Sequence, residues 1–258
     1  MRVPAPLVLA IAIVAAGAPL AGRQGAIQIA TEIVTATPRY AGDTRHIVPP
    51  PATSGAELVV NVPQRMLFLR RGDAVLRAFP VAVGRLGWKT PTGPFRVLTR
   101  EAHPYWDVPA SIQEEMRRNG QPVITRMDPG PRNPLGDYWI GLSVPGLGIH
   151  GTPAPSTIYH FATHGCIRLH PDDIEVLFGD VTIGMRGDIV YEPVLVARTA
   201  DGLFVEAHRD VYGRGRAGLA ALHQLLDTGA GAGIDWDAVA TVLRERDGRV
   251  HRIPSLPR

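Results

Sequence analysis

A chain of 258 residues, 45% hydrophobic and 20% charged, carries enough apolar material for one large domain with an appendage and is not composed like a disordered segment. Its net charge of +3 is spread without a Lys/Arg run or stripe, so no nucleic-acid partner is expected. Twenty-four prolines and 28 glycines predict many turns and short strands.

Residues 1–22 have the pattern of an export signal: Arg2 as the positive end, an uncharged apolar run from Leu7 to Ala16, then Gly17, Ala18, Ala21 and Gly22. The run is short for a membrane span, so cleavage near Ala21 is expected, with retention at the inner membrane if the signal stays in place. No cysteine lies near that point, which excludes lipid anchoring there. Residues 23–55 are rich in Ala, Thr and Pro and run into Val48-Pro49-Pro50-Pro51; they are expected to be an extended linker.

The main domain is expected over residues 56–192. Leu58–Val62 and Met66–Leu69 read as strands around a break at Pro63-Gln64-Arg65, and Arg71-Gly72-Asp73 as a turn. Ala74–Val83 reads as a further strand pair, and Phe95–Leu98 as a strand after Thr90-Pro91-Thr92-Gly93-Pro94. A helix is predicted from Pro109 to Arg118, acidic early, basic late and stopped by Asn119-Gly120; a second begins at Pro171 and ends at Gly179. Residues 193–258 are expected to form a small α+β accessory subdomain, with a strand at Leu203–Glu206 and helices at Leu219–Leu226 and Trp236–Arg246. The fold class is therefore mostly β with short helices, α+β overall, a sandwich or barrel with a C-terminal subdomain.

The chemistry concentrates in one stretch. Exported proteins use cysteines mostly in pairs, and this chain has one, Cys166, which cannot form an internal disulfide. It lies in Thr163-His164-Gly165-Cys166-Ile167-Arg168-Leu169, downstream of Gly148-Ile149-His150-Gly151-Thr152. A nucleophilic cysteine needs a base, and donors for the oxyanion formed on the attacked carbonyl. His150 at a strand end is the candidate base, oriented by the Gly151 carbonyl, while the amides of His164, Gly165 and Cys166 are candidate oxyanion donors. Arg168, two residues beyond Cys166, shares its face in extended chain and is suited to a carboxylate. Tyr138 and Trp139, with Tyr105 and Trp106, are candidates to line a substrate groove; His160 and His170 are expected at the surface. His150, His160, His164, Cys166 and His170 lack the C-x2-C or H-E-x-x-H spacing of zinc sites, so neither metal nor cofactor is expected.

The His-Gly-Thr stretch followed by Thr-His-Gly-Cys-Ile-Arg-Leu resembles the signature of the L,D-transpeptidase catalytic domain, the YkuD family, with Thr163 where Ser is usual. Val83-Gly84-Arg85 with Lys89-Thr90-Pro91-Thr92-Gly93 is similar to the family's early strand and turn. Trp106-Asp107-Val108-Pro109, Pro129 to Gly136 and Val205 to Tyr212 resemble the exported ErfK-type branch of Gram-negative bacteria, which implies a periplasmic location. The resemblance implies a cysteine-nucleophile acyltransferase acting on peptidoglycan stem peptides. Cys166 would attack the carbonyl of the L-centre of the third residue, release D-Ala, and pass the acyl group from a thioester to an amine. That amine would belong to a second stem, giving a cross-link, or to an outer-membrane lipoprotein. With water as acceptor the same nucleophile would make a carboxypeptidase or a lipoprotein-releasing amidase, and a non-catalytic wall-binding protein is the remaining alternative. In the family's pattern His150 generates the thiolate, Gly151 orients it, and Thr163, His164 and Gly165 with Cys166 form the oxyanion segment.

Overall fold

The computed structural model describes residues 29–30, 32–35, 45–72, 74–214, 222–223 and 233–255. The expected signal segment lies outside them, as does the expected helix at Leu219–Leu226 apart from residues 222 and 223. Among the described residues no helix is long and apolar enough to cross a membrane.

The main domain is a closed barrel. Its strands are β4 (Leu58–Asn61), β5 (Met66–Arg71), β6 (Ala74–Gly84), β7 (Gly93–Ala102), β10 (Tyr138–Leu142), β11 (Gly148–His150), β13 (Ile167–Leu169) and β14 (Arg186–Val190). The ladder runs β6-β13-β11-β10-β7-β14-β4-β5 and returns from β5 to β6, so these eight strands leave no free edge. A short strand, β12 (Phe161–Thr163), adds to β6 in parallel. Ala74–Val83, expected as a strand pair, lies within one continuous 11-residue strand, β6. Its first half pairs with β5 and its second with β13 and β12. Pro80 sits at the changeover, where a residue without an N–H is tolerated.

Alternation sorts the side chains. Val81, Val83, Ile140, Ile149, Ile167 and Leu169 point into the barrel and are buried with Leu58, Leu67 and Phe79. Each such aliphatic side chain contributes about 1.5–3 kcal/mol by leaving water. The intervening residues of β10, β11 and β13 face outward, and that outer face carries the site.

Two helices flank the barrel. α1 (Ala110–Arg118) lies in the excursion between β8 (Trp106–Asp107) and β9 (Arg126–Met127) and buries none of its side chains. α2 (Pro171–Asp180) starts with Pro171 at its first position and Asp172 and Asp173 in its first turn, both favourable at a helix N-terminus. It buries Ile174 and Leu177 on the barrel core.

Beyond the barrel, β15 (Val194–Thr199), β16 (Gly202–Ala207) and β17 (Val250–Ile253) form an antiparallel sheet covered by α3 (Trp236–Glu245), with Val196, Val205, Val239 and Val242 at its core. The segment expected as a linker does not stay extended and free. β1 (Ile29–Ala30) joins this sheet parallel to β15, and β2 (Ile33–Thr35) pairs with β3 (Arg45–Ile47). Ile47 is fully buried, and its N–H bonds a carboxylate 159 positions away. Local composition reads proline and threonine as extended chain; the order comes from partners distant in sequence.

Candidate active site

Strands β11 and β13 run in parallel with Ile149 opposite Ile167 and His150 opposite Arg168. Since Ile149 and Ile167 point into the barrel, His150 and Arg168 point out, and so does Cys166, two residues before Arg168. The Gly148 N–H and the Arg168 charge both act on the Cys166 sulfur. Cys166 is half-buried, and its thiol donates to the Gly146 carbonyl at 3.7 Å. His150 and Cys166 are thus diagonal neighbours on one outward face.

His150 is buried, 4% exposed. Its Nδ1 lies 2.6 Å from the Gly151 carbonyl oxygen. A carbonyl only accepts, so Nδ1 carries the proton and Nε2 holds a free lone pair. Burial, with Arg168 nearby, pushes the imidazole pKa down to about 3, against the opposing pull of the Gly151 and Leu135 carbonyls. Burial likewise pushes the Cys166 thiol up, more than the Gly148 N–H and Arg168 lower it. The resting pair is therefore a neutral thiol beside a neutral imidazole.

The cysteine loop is clamped by Thr163. Its hydroxyl donates to the Cys166 carbonyl at 2.6 Å and accepts from the Gly165 N–H at 3.1 Å. Either Ser or Thr can make this pair of bonds. Of the three amides expected to face outward, the Gly165 N–H turns back onto Thr163 and is not free for an oxyanion. Gly165 has a φ of +113°, a conformation that side chains avoid.

The His164 ring leaves the loop for α1. Its Nε2 lies 2.6 Å from a Glu115 carboxylate oxygen, Arg85 binds the other oxygen at 2.5 Å, and the Trp88 ring meets the imidazole edge-on. Arg168 donates to the Thr157 hydroxyl at 3.0 Å, which holds it across the loop after β11.

The aromatics divide by strand face. Trp139 lies opposite His150 in the β10–β11 ladder and stacks toward its ring at 6.0 Å. Its indole occupies the space over Gly148, where a Cβ would come within 2.2 Å of it. Tyr138, expected beside Trp139, points the other way: adjacent strand residues face opposite sides, and Tyr138 packs on the barrel core and the Phe178 ring. Tyr105 lies under the Arg126 guanidinium on the β8–β9 excursion, and Trp106 is opposite Met127 there. His160 is exposed, whereas His170 is half-buried and caps α2 by accepting from the Asp172 N–H. No group of three or more His, Cys, Asp or Glu side chains among the described residues could hold a metal ion.

The family model of the L,D-transpeptidase catalytic domain, YkuD, matches residues 55–196. The chain belongs to this family. Among its relatives, the probable L,D-transpeptidase YbiS of Escherichia coli K12 is 33% identical over 163 residues, covering 61% of this chain and 52% of that protein. The probable L,D-transpeptidase ErfK/SrfK of the same strain is 32% identical over 161 residues, with 61% and 52% covered. The chain thus spans about half the length of these curated relatives. The NMR structure of the catalytic domain from the E. faecium L,D-transpeptidase gives a TM-score of 0.42 at 20% identity, covering 53% of this chain and 98% of that one.

Two residues that the sequence does not mark, Thr90 and Tyr212, also support the cysteine loop. Thr90 is fully buried and donates to the Gly165 carbonyl at 2.7 Å; Tyr212 reaches Thr90 from the C-terminal segment. Both fall in stretches whose likeness to the family was visible, but nothing local shows that they touch the cysteine loop.

Proposed function

We propose that this protein is a peptidoglycan L,D-transpeptidase with Cys166 as nucleophile and His150 as general base. The observation that carries the reading is the β11–β13 register, which puts a half-buried thiol and an imidazole with its Nδ1 proton already held on one face. As the sulfur attacks the carbonyl of the third stem residue, its proton passes to His150 Nε2. The tetrahedral oxyanion is received by backbone amides of the cysteine loop, where fixed donors act most strongly in the transition state. Collapse of the intermediate breaks the amide bond, and His150 returns the proton to the leaving D-Ala amine. An acceptor amine then attacks the thioester, gives its proton to His150, and releases the thiolate, which is reprotonated. Arg168 supplies a fixed cation for a substrate carboxylate, and Trp139 a flat apolar wall over Gly148 and the imidazole. A neutral resting pair fits this scheme, since the thiolate is needed only as the acyl group arrives. The acceptor is an amine of a second stem or of an anchored lipoprotein, and the location the periplasm.

Intact-mass spectrometry tests the assignment. A carbapenem is expected to add covalently to the protein and not to the Cys166→Ala variant. A tetrapeptide muropeptide with an amine acceptor is expected to yield a D-Ala-shortened, amine-linked product. Absence of any adduct under conditions that modify a control L,D-transpeptidase overturns the reading; shortened peptide without amine-linked product assigns water as the acceptor instead.

A further inference from the structure

The loop that presents Cys166 is tied to the C-terminal segment through two fully bonded side chains. Thr90 is 0% exposed and Tyr212 4%. The Thr90 hydroxyl accepts from the Gly84 N–H at 2.9 Å and donates to the Gly165 carbonyl at 2.7 Å. The Thr90 N–H donates to the Tyr212 hydroxyl at 3.1 Å, and that hydroxyl donates to the Gly84 carbonyl. Gly84, Thr90 and Tyr212 therefore close a hydrogen-bonded ring, and the Thr90 hydroxyl carries it on to Gly165. Gly84 has no room for a side chain, because a Cβ would lie 2.0 Å from the Trp88 carbonyl oxygen.

Tyr212 is itself fixed from several sides. Its N–H donates to the Tyr191 hydroxyl at 2.8 Å, its ring stacks on Tyr191, and it meets the Phe161 ring edge-on. The Tyr191 hydroxyl donates to Asp210 at 2.6 Å, and Lys89 Nζ donates to the Tyr212 carbonyl at 3.2 Å.

Peptide geometry turns this tether into chemistry. The Gly165 carbonyl and the Cys166 N–H belong to one planar trans unit and point in opposite directions. A bond that fixes the carbonyl fixes the N–H as well. With the Gly165 N–H already given to Thr163, the aim of the Cys166 N–H matters all the more for the oxyanion. We propose that Thr90, held in place by Tyr212, is a positioning residue that aims the Cys166 N–H at the oxyanion, so that the C-terminal segment completes the active site. This rests on the reading of Cys166 as an acyl-accepting nucleophile.

The test compares two reactions of the same sulfur in the full chain. Acylation by a carbapenem passes through a tetrahedral oxyanion; alkylation by iodoacetamide displaces iodide and forms none. Thr90→Val keeps the shape and loses both hydroxyl bonds, and it should slow acylation about 10- to 100-fold, the scale of a misaimed donor. Its alkylation rate, measured where the variant is folded, should stay close to wild type, while its thermal midpoint falls by several degrees because the buried Gly84 N–H and Gly165 carbonyl lose their partner. Thr90→Ser should restore acylation to within about 3-fold, and Tyr212→Phe should slow it by roughly 3- to 10-fold, again without slowing alkylation. Equal losses in both reactions, or undiminished acylation in Thr90→Val, overturn the proposal. A wild-type protein that is alkylated but never acylated overturns the transpeptidase reading instead, a result that no Thr90 variant can imitate.

Discussion

Glu206 joins three parts of the chain, and its removal offers the sharpest test of how they are held together. The side chain is fully buried on β16. It accepts from the Ile47 N–H at 2.6 Å, His208 Nε2 at 2.8 Å, His46 Nδ1 at 3.1 Å, and Gln64 Nε2 at 3.0 and 3.1 Å. A carboxylate has no hydrogen to give, so every partner donates. Burial alone would raise its pKa; the bonds from His208 and His46 outweigh burial and bring it to about 2. In Glu206→Ala the Ile47 N–H and the Gln64 amide lose their acceptor, each at about 1–3 kcal/mol, and both imidazoles lose theirs. The total should be about 3–5 kcal/mol, the range for deleting one partner of a buried charged network. For a chain of this size that lowers the thermal midpoint by on the order of 10 °C. Linkage gives a similar figure. A carboxyl whose folded pKa lies below its ordinary 4.5 stabilises the fold above pH 4.5, and that contribution is lost as pH falls toward 2. At about 1.4 kcal/mol per pH unit this amounts to about 3 kcal/mol. Glu206→Gln should lose less, about 1–2 kcal/mol, because each imidazole can exchange tautomer and accept from the new amide while its oxygen still receives the Ile47 N–H. Far-UV circular dichroism melts at pH 7, repeated between pH 5 and pH 2, measure all of this. An alanine variant within about 1 kcal/mol of wild type, or a glutamine variant less stable than alanine, would show that the buried carboxylate does not hold the segments together.

Two further outcomes follow from the site. Alkylation of Cys166 by iodoacetamide in the free protein should rise with pH with a midpoint above the ordinary thiol value of about 8.5, since burial pushes the thiol up, and a midpoint below 7 would reveal a preformed ion pair. Gly148→Ala places a methyl group 2.2 Å from the Trp139 indole and should displace it, destabilising the protein by about 1–3 kcal/mol and slowing carbapenem acylation; the double variant Gly148→Ala/Trp139→Ala should recover stability but not acylation, and a single variant that melts like wild type would refute the packing argument.

The features legible in the sequence are those set by neighbours in the chain. Helices α1 and α2 announce themselves through proline, charge order and a glycine stop, and the structure ends the second one residue beyond the expected Gly179, at Asp180. Cys166 and His150 stand out because the chain's single cysteine lies in a stretch framed by His and Gly, a setting with a narrow range of chemistry. The features hidden in the sequence depend on register or on distant partners. Tyr138 and Trp139 are equivalent aromatics until the pairing of Trp139 with His150 is known, and that pairing sends one to the imidazole and the other to the core. The Gly165 amide looked available because the return of the Thr163 hydroxyl onto its own loop is a matter of dihedral angles. The strands within residues 29–47 could not be seen, because proline-rich composition signals extended chain and says nothing of the sheet that receives it.

The barrel also explains why so short a pair of strands can carry the chemistry. β11 and β13 have three residues each, and a slip of one residue between them would send His150 inward and Ile149 outward. Two constraints resist that slip. Ile149, Ile167 and Leu169 are each fully buried in the shared core, so a slip would put apolar side chains into water at about 1.5–3 kcal/mol apiece. Each strand is also gripped on its far side, β11 by β10 and β13 by the long β6, within a ladder that closes on itself and has no edge to yield. The outward face therefore inherits its alignment from the inward one: packing that contains no reactive atom fixes the imidazole beside the thiol, and the loop residues Thr163 and Thr90 need only set the angle of the peptide between Gly165 and Cys166.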